Sequence, residues 1–105
     1  FICFEKNKEY YRRLFEITGQ NSFGEFFAHY CEKTFFCILS RHPMKKMPCD
    51  LITPQSLAHY NALLLIEILK LWLSSPKNVP AEKIFEAYQY IMRTPILDMI
   101  QYPEI

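Results

Sequence analysis

The stretch TPQSLAHYNALLLIEILKLWLS, residues 53–74, decides the fold of this chain. It is rich in apolar residues and far longer than an ordinary strand, so it predicts a helix. Thr53 can cap the first turn, and Pro54 then occupies the first helical position, where a missing N–H costs nothing. Pro76 follows closely and stops the helix.

Polar residues at helical spacing form one narrow stripe along the predicted helix: Ser56, His59, Glu67, Lys70 and Ser74. Because the rest of the circumference is apolar, other helices should surround this one. Crossing a membrane is the rival interpretation, but a spanning helix needs about 20 predominantly apolar residues. The uninterrupted apolar run covers only residues 62–66, so we predict no membrane partner.

Proline, glycine and capping signals divide the remaining chain into four further predicted helices, at about 5–18, 23–40, 80–93 and 95–102. Ser22 and Glu25 have the spacing of a capping box at the start of the second helix. The helix over 23–40 should turn inward Phe23, Phe26, Phe27, Tyr30, Cys31, Thr34, Phe35 and Ile38. The helix over 80–93 should turn inward Ala81, Ile84, Phe85, Tyr88, Ile91 and Met92.

These helices predict an all-α fold, a four- to five-helix antiparallel bundle around the central apolar helix near residues 54–74. A segment of a helical-repeat scaffold would give a similar pattern. The length of 105 residues indicates a single domain over residues 1–105. The chain begins FICF without an initiator methionine, so we expect this domain to be excised from a larger protein.

Composition limits the function classes. Twelve basic and eleven acidic residues leave a net charge of +1, which gives no field for nucleic acid. Two glycines cannot build a glycine-rich phosphate loop, and neither paired carboxylates nor a supported nucleophile is visible. We therefore predict that the chain is not an enzyme. Four cysteines are too few for a secreted disulfide scaffold, which favours reduced thiols and an intracellular location, cytoplasmic or nuclear.

A metal site is the sharpest chemical hypothesis. Possible ligands lie between residues 29 and 49: His29, Cys31, Cys37, His42 and Cys49. Zinc sites usually show paired ligands at short spacing, and this segment has no such pair. We predict no metal and no other cofactor. We expect Cys31 and Cys37 to be small buried hydrophobes, and His29 and His42 to face solvent.

Misplaced apolar residues lead to the functional hypothesis. Phe36, Leu63 and Tyr90 interrupt the polar faces of three helices, and Met44 and Met47 lie in a basic loop. Such side chains are typical interface anchors. We therefore predict an interaction or scaffolding domain that buries them against a protein partner or a second copy.

The alternative is a small nucleic-acid- or phosphate-binding helical module. It would use the loop cations Arg41, Lys45 and Lys46. The near-neutral net charge of the chain makes this the weaker of the two hypotheses.

Overall fold

The chain is all-helical in the computed structural model, which describes residues 2–17 and 22–101. Its elements are α1 (Ile2–Lys6), α2 (Lys8–Glu16), α3 (Phe23–Ser40), α4 (Pro54–Ser74), α5 (Ala81–Arg93) and a 3-10 turn (Ile96–Met99). The described ranges contain no strand. The predicted all-α helical bundle is confirmed, and α4 is its centre, since α2, α3 and α5 all pack on it.

The first predicted helix is broken in two at Asn7. Its backbone has φ −133° and ψ 44°, outside the helical region. Asparagine is a poor helix former because its amide competes for backbone hydrogen bonds. The break lets Phe4 fold back against Tyr11 and Phe27, with ring centroids 4.6 and 5.6 Å apart. The helix stop predicted at Gly19 lies outside the described residues.

The predicted helix starts are confirmed where a side chain caps them. The Ser22 hydroxyl accepts a hydrogen bond from the backbone N–H of Glu25 at 3.2 Å. The Thr53 hydroxyl does the same for Ser56 at 3.2 Å, with Pro54 in the first turn. Each cap supplies an acceptor for an amide that has no partner inside its helix.

The hydrophobic core lies along α4. Its buried residues are Ala58, Ala62, Ile66, Ile68, Leu69, Trp72 and Leu73. Phe15 of α2 and Ala81 of α5 belong to the same cluster. By length and composition alone α4 could also cross a membrane, and 33% of its most apolar 18-residue segment is buried. The core helix of a globular protein passes the same test, so this signal is weak.

Several predicted inner faces are wrong. Phe26 and Tyr30 of α3 are 69% and 61% exposed, and Cys37 is exposed. On α5, Ile91 and Met92 are also exposed, although they were expected to face inward. The physical reason is that α3 packs mainly against α4, and α5 packs against α4 and α1. The exposed part of each apolar face is not covered by any other helix of residues 2–17 and 22–101.

The fifth predicted helix is reduced to the single 3-10 turn at Ile96–Met99. Pro95 starts it as expected. A segment this short does not extend into an α-helix, because ordering its residues gains too few hydrogen bonds. The predicted end at Tyr102 lies outside the described residues.

Candidate functional site

Two hydrogen bonds fix how α4 and α5 pack. The Trp72 indole N–H donates to the Val79 carbonyl at 2.8 Å, and the Tyr88 hydroxyl donates to Asn61 Oδ1 at 3.2 Å. Val79 lies in the loop before α5 and contacts the end of α4, whereas Tyr88 lies within α5 and contacts the earlier residue Asn61, so the two helices run antiparallel. Burial raises the pKa of the Tyr88 phenol, against the opposing effect of the Asn61 hydrogen bond. Tyr88 therefore stays neutral and serves as a fixed contact between the helices.

Apolar side chains of both helices lie on the same side of this contact line. At about 100° per residue, the apolar side chains of α4 lie roughly 40–100° around the helix from Asn61, and those of α5 lie roughly 40–100° around the helix from Tyr88. Both rotations have the same direction when each helix is viewed along its own axis. In an antiparallel pair this brings both sets to one surface. We call it the α4–α5 face: Leu57, Tyr60, Leu64 and Leu71 of α4, with Ile84, Ala87 and Ile91 of α5.

This face is solvent-accessible within the single chain. Leu71 is 70% exposed, Tyr60 53% and Ile91 40%. By contrast, Ala62 and Ile66, turned in the opposite sense around α4, are buried. One flank of α4 is thus covered by the chain itself. On the other flank Leu57 and Leu64 are half-buried, as is Ile84 of α5, which also packs against the core, so this flank is covered only in part. Such a contiguous apolar surface marks a site of association.

The spacing on the α4–α5 face is that of helices that pair with helices. On α4 the positions 57, 60, 64, 67 and 71 are separated alternately by three and four residues, and on α5 the positions 84, 87 and 91 repeat this step. A three–four alternation produces the seam of knobs-into-holes packing. Ala87 is small and permits close approach of a second helix. Glu67 is the polar member of the seam and pairs with Lys70 at 4.0 Å.

A second feature is the α3–α4 cleft, a pair of adjoining depressions of about 270 and 310 Å³. Both are lined by Glu32 and Gln55. Glu32 Oε2 lies 3.0 Å from His59 Nδ1 and joins the two helices there. The remaining lining residues are His29, Lys33 and Phe36 on one side and Thr53, Ser56, His59 and Tyr60 on the other.

The residues predicted as partner anchors do not meet at one place. Phe36 lines the α3–α4 cleft, whereas Leu63 lines a groove of α2, α3 and α4 together with Phe15. Tyr90 is exposed on α5, turned about 160° away from Tyr88. Met44 is exposed and Met47 half-buried in the loop after α3. Their role as anchors stays a prediction.

The loop cations and the possible metal ligands are also dispersed. Arg41, Lys45 and Lys46 are exposed. Within residues 2–17 and 22–101, no three side chains among His, Cys, Asp and Glu come together as metal ligands would. His29 and His42 face solvent as expected. All four cysteines are free thiols, and among them only Cys31 is buried.

The α4–α5 face is what the sequence interpretation missed. The signal was present as the three–four alternation at 57–60–64–67–71 and 84–87–91. It was missed because the apolar residues of the central helix were expected to be surrounded by other helices of the chain. The core positions 58, 62, 65, 69 and 72 of α4 alternate in the same way, so spacing alone does not separate this surface from the core.

An all-helical region with a partly exposed two-helix apolar face defines a class of association domain. Residues 1–94 match the family described as the transcriptional regulator C-terminal region, of the TetR type. The chain belongs to this family. No curated protein and no solved structure gives a significant match.

This membership corrects the functional prediction. A generic interaction or scaffolding domain is wrong, because the C-terminal regions of this family typically bind a ligand and dimerise within a DNA-binding regulator. The family also speaks against the nucleic-acid-binding alternative, because its members bind nucleic acid through the N-terminal domain of the full protein. Phosphate binding by Arg41, Lys45 and Lys46 stays an untested prediction.

The other predictions agree with the family at a coarser level. Transcription regulation is a non-catalytic role, and homo-oligomers are typical of these C-terminal regions. A regulator of transcription also acts inside the cell.

Proposed function

We propose that this chain is the dimerising regulatory region of a TetR-type transcriptional regulator, and that two copies associate through the α4–α5 face. The observation that carries the proposal is the partly exposed apolar seam running along both helices. A symmetric dimer uses the same patch on both subunits, so the patch must complement itself. An apolar two-helix layer against its own copy makes a four-helix arrangement.

The energetic argument rests on the exposure of the seam. Leu71 and Tyr60 are more than half exposed in one chain. Fully burying a leucine-sized side chain is worth roughly 1.5–3 kcal/mol. Several such residues on each copy supply a driving force that outweighs the cost of ordering a few side chains. Glu67 and Lys70, at the border of the seam, would fix the register by charge.

Two leucines of α4 provide a matched test. Leu71 lies on the α4–α5 face and Leu63 lies on another side of the helix, and both are exposed. We expect Leu71→Glu to convert the dimer into a monomer, because it places a charge in the apolar seam. We expect Leu63→Glu to leave the mass unchanged. Light scattering measures both, and circular dichroism verifies that each variant is folded.

The opposite pattern would support the anchor prediction for Leu63 instead. Association that survives Leu71→Glu and is lost in Leu63→Glu would move the interface to the groove of α2, α3 and α4. Retention of the dimer in both variants would remove the α4–α5 face from the proposal.

Effector binding is the second function typical of this family, and the α3–α4 cleft is our candidate site for it. Phe36 and Tyr60 offer aromatic contacts there, and Lys33 with the amino end of α4 offers positive potential. The Glu32 carboxylate, which lines both depressions, is paired with His59. This chemistry suits an aromatic anion. Tyr60 also belongs to the α4–α5 face, so a ligand in the cleft would touch the same side chain as the second copy.

Benzoate and benzylamine are simple probes of this site. We expect benzoate to shift the amide resonances of Gln55 and Ser56 at concentrations on the order of millimolar, and benzylamine to act more weakly. Lys33→Gln should reduce the benzoate effect. Equal shifts from both probes, or shifts confined to other helices, would contradict the assignment.

The chain's place in the regulator follows from the same proposal. Residues 1–105 would form one domain, preceded in the full protein by the nucleic-acid-binding domain. The location would then be the cytoplasm, where a regulator of this family meets its effector and its operator.

A further inference from the structure

Two contacts join the first helical segments to the corner where α4 ends and α5 begins. The Glu5 carboxylate accepts a hydrogen bond from the backbone N–H of Ala81, 76 positions along the chain. The Lys8 ammonium lies 5.1 Å from the centre of the Trp72 ring. Both contacts therefore reach residues at the α4–α5 corner, although they start from different helices.

The two contacts start on either side of the Asn7 break. Glu5 belongs to α1 and Lys8 is the first residue of α2. The two side chains therefore start from separate helices, and each meets its own target, one at the start of α5 and one on the core tryptophan.

The contact at Ala81 fills a structural need of α5. Its N-cap residue is Pro80, which has no side-chain acceptor for the first amides. Those amides carry the positive end of the helix dipole, and a carboxylate is the favoured partner. Glu5 thus acts as a cap supplied from the opposite end of the chain. Lys8 adds a cation over an aromatic face at the same corner.

We propose that Glu5 and Lys8 clamp α1 to the α4–α5 corner, so that the position of α1 follows the arrangement of these two helices. For its meaning in the regulator this inference rests on the proposed dimer, whose face is built from the same two helices. In this family the nucleic-acid-binding domain lies on the N-terminal side of the full protein. The clamp would therefore couple the dimer helices to the N-terminal side of this region.

The chain contains two natural reporters of the clamp. Trp72 is its single tryptophan and is 2% exposed, so quenching of its fluorescence by acrylamide measures access to the corner. Cys3 is exposed on α1 and can carry a nitroxide label, once Cys37 and Cys49 are changed to serine. The spectrum of that label reports the mobility of α1.

The test compares Glu5→Ala and Lys8→Met with Lys6→Ala, an exposed control between them on the same segment. We expect each clamp variant to raise about fivefold the fraction of molecules in which α1 is detached from the α4–α5 corner. This change corresponds to the loss of ~1 kcal/mol of contact free energy. The Cys3 label should become more mobile and Trp72 more accessible to acrylamide. Lys6→Ala should match the unmodified chain in both measurements.

The clamp is overturned if the label and the quenching in both clamp variants match those of Lys6→Ala. If Glu5→Ala lowers the overall helix content, Lys8→Met, which retains an unbranched apolar side chain, decides the question alone. Both measurements can be made on the monomer, so they test the clamp even if light scattering finds no dimer. In a dimer, the distance between the two Cys3 labels should also broaden in the clamp variants.

Discussion

At the scale of single residues, α3 places two cysteines in opposite environments. Cys31 is 5% exposed and Cys37 lies one and two-thirds turns further on, facing solvent. Burial raises the pKa of the Cys31 thiol, because the charged thiolate is poorly solvated there. The reactive form of Cys31 is therefore both scarce and sterically covered.

This difference predicts selective alkylation. With iodoacetamide at pH 8 we expect Cys3, Cys37 and Cys49 to react first and Cys31 roughly tenfold or more slowly, at the rate of local opening. Mass spectrometry of tryptic peptides measures the four rates. In denaturant the four thiols should react alike. Equal rates for Cys31 and Cys37 in the folded chain would contradict the buried position of Cys31.

At the scale of elements, the starts of α3 and α4 were predictable and their packing faces were not. A capping side chain such as Thr53 binds an amide only three residues away. Both partners therefore lie in one short segment of sequence, and the helix start can be predicted from it. Whether Phe26 or Ile91 is covered depends on which helix lies beside it, and that information is spread over the chain. The break at Asn7 was missed because a single asparagine only weakly disfavours a helix.

The cap of α4 carries a testable stability contribution. Thr53→Ala should lower the free energy of unfolding by about 1 kcal/mol, since the Ser56 amide loses its acceptor. Thr34→Ala is the control: its hydroxyl only bonds the Tyr30 carbonyl within α3, and alanine is the better helix former. Urea denaturation followed by circular dichroism measures both. A Thr34→Ala loss as large as that of Thr53→Ala would contradict the capping assignment.

At the scale of the whole molecule, the chain is a flat slab with extents of 44 × 41 × 22 Å. A thickness of 22 Å holds two helix layers of about 10–12 Å each. The radius of gyration is 16.2 Å, against about 13 Å for an ordinary domain of this length. A slab with apolar residues on an outer surface is the shape that the proposed dimer requires of its subunit.

The same scale explains why the association site was predicted only in outline. Sequence marked Phe36, Leu63 and Tyr90 because they interrupt polar helix faces, and their role as anchors stays a prediction. Residues such as Leu64 and Ile91 have the spacing of core residues, and in the proposed dimer they would pack as core residues do. Burial inside a chain and burial between chains use the same side chains, so only the structure of one chain separates them.

The solution mass of the chain, measured by light scattering over a range of concentrations, tests the central claim most directly. We predict a species of twice the 12.6 kDa chain mass that dissociates on dilution and is lost in Leu71→Glu. A mass of one chain at every concentration, with the helices folded, would contradict association through the α4–α5 face.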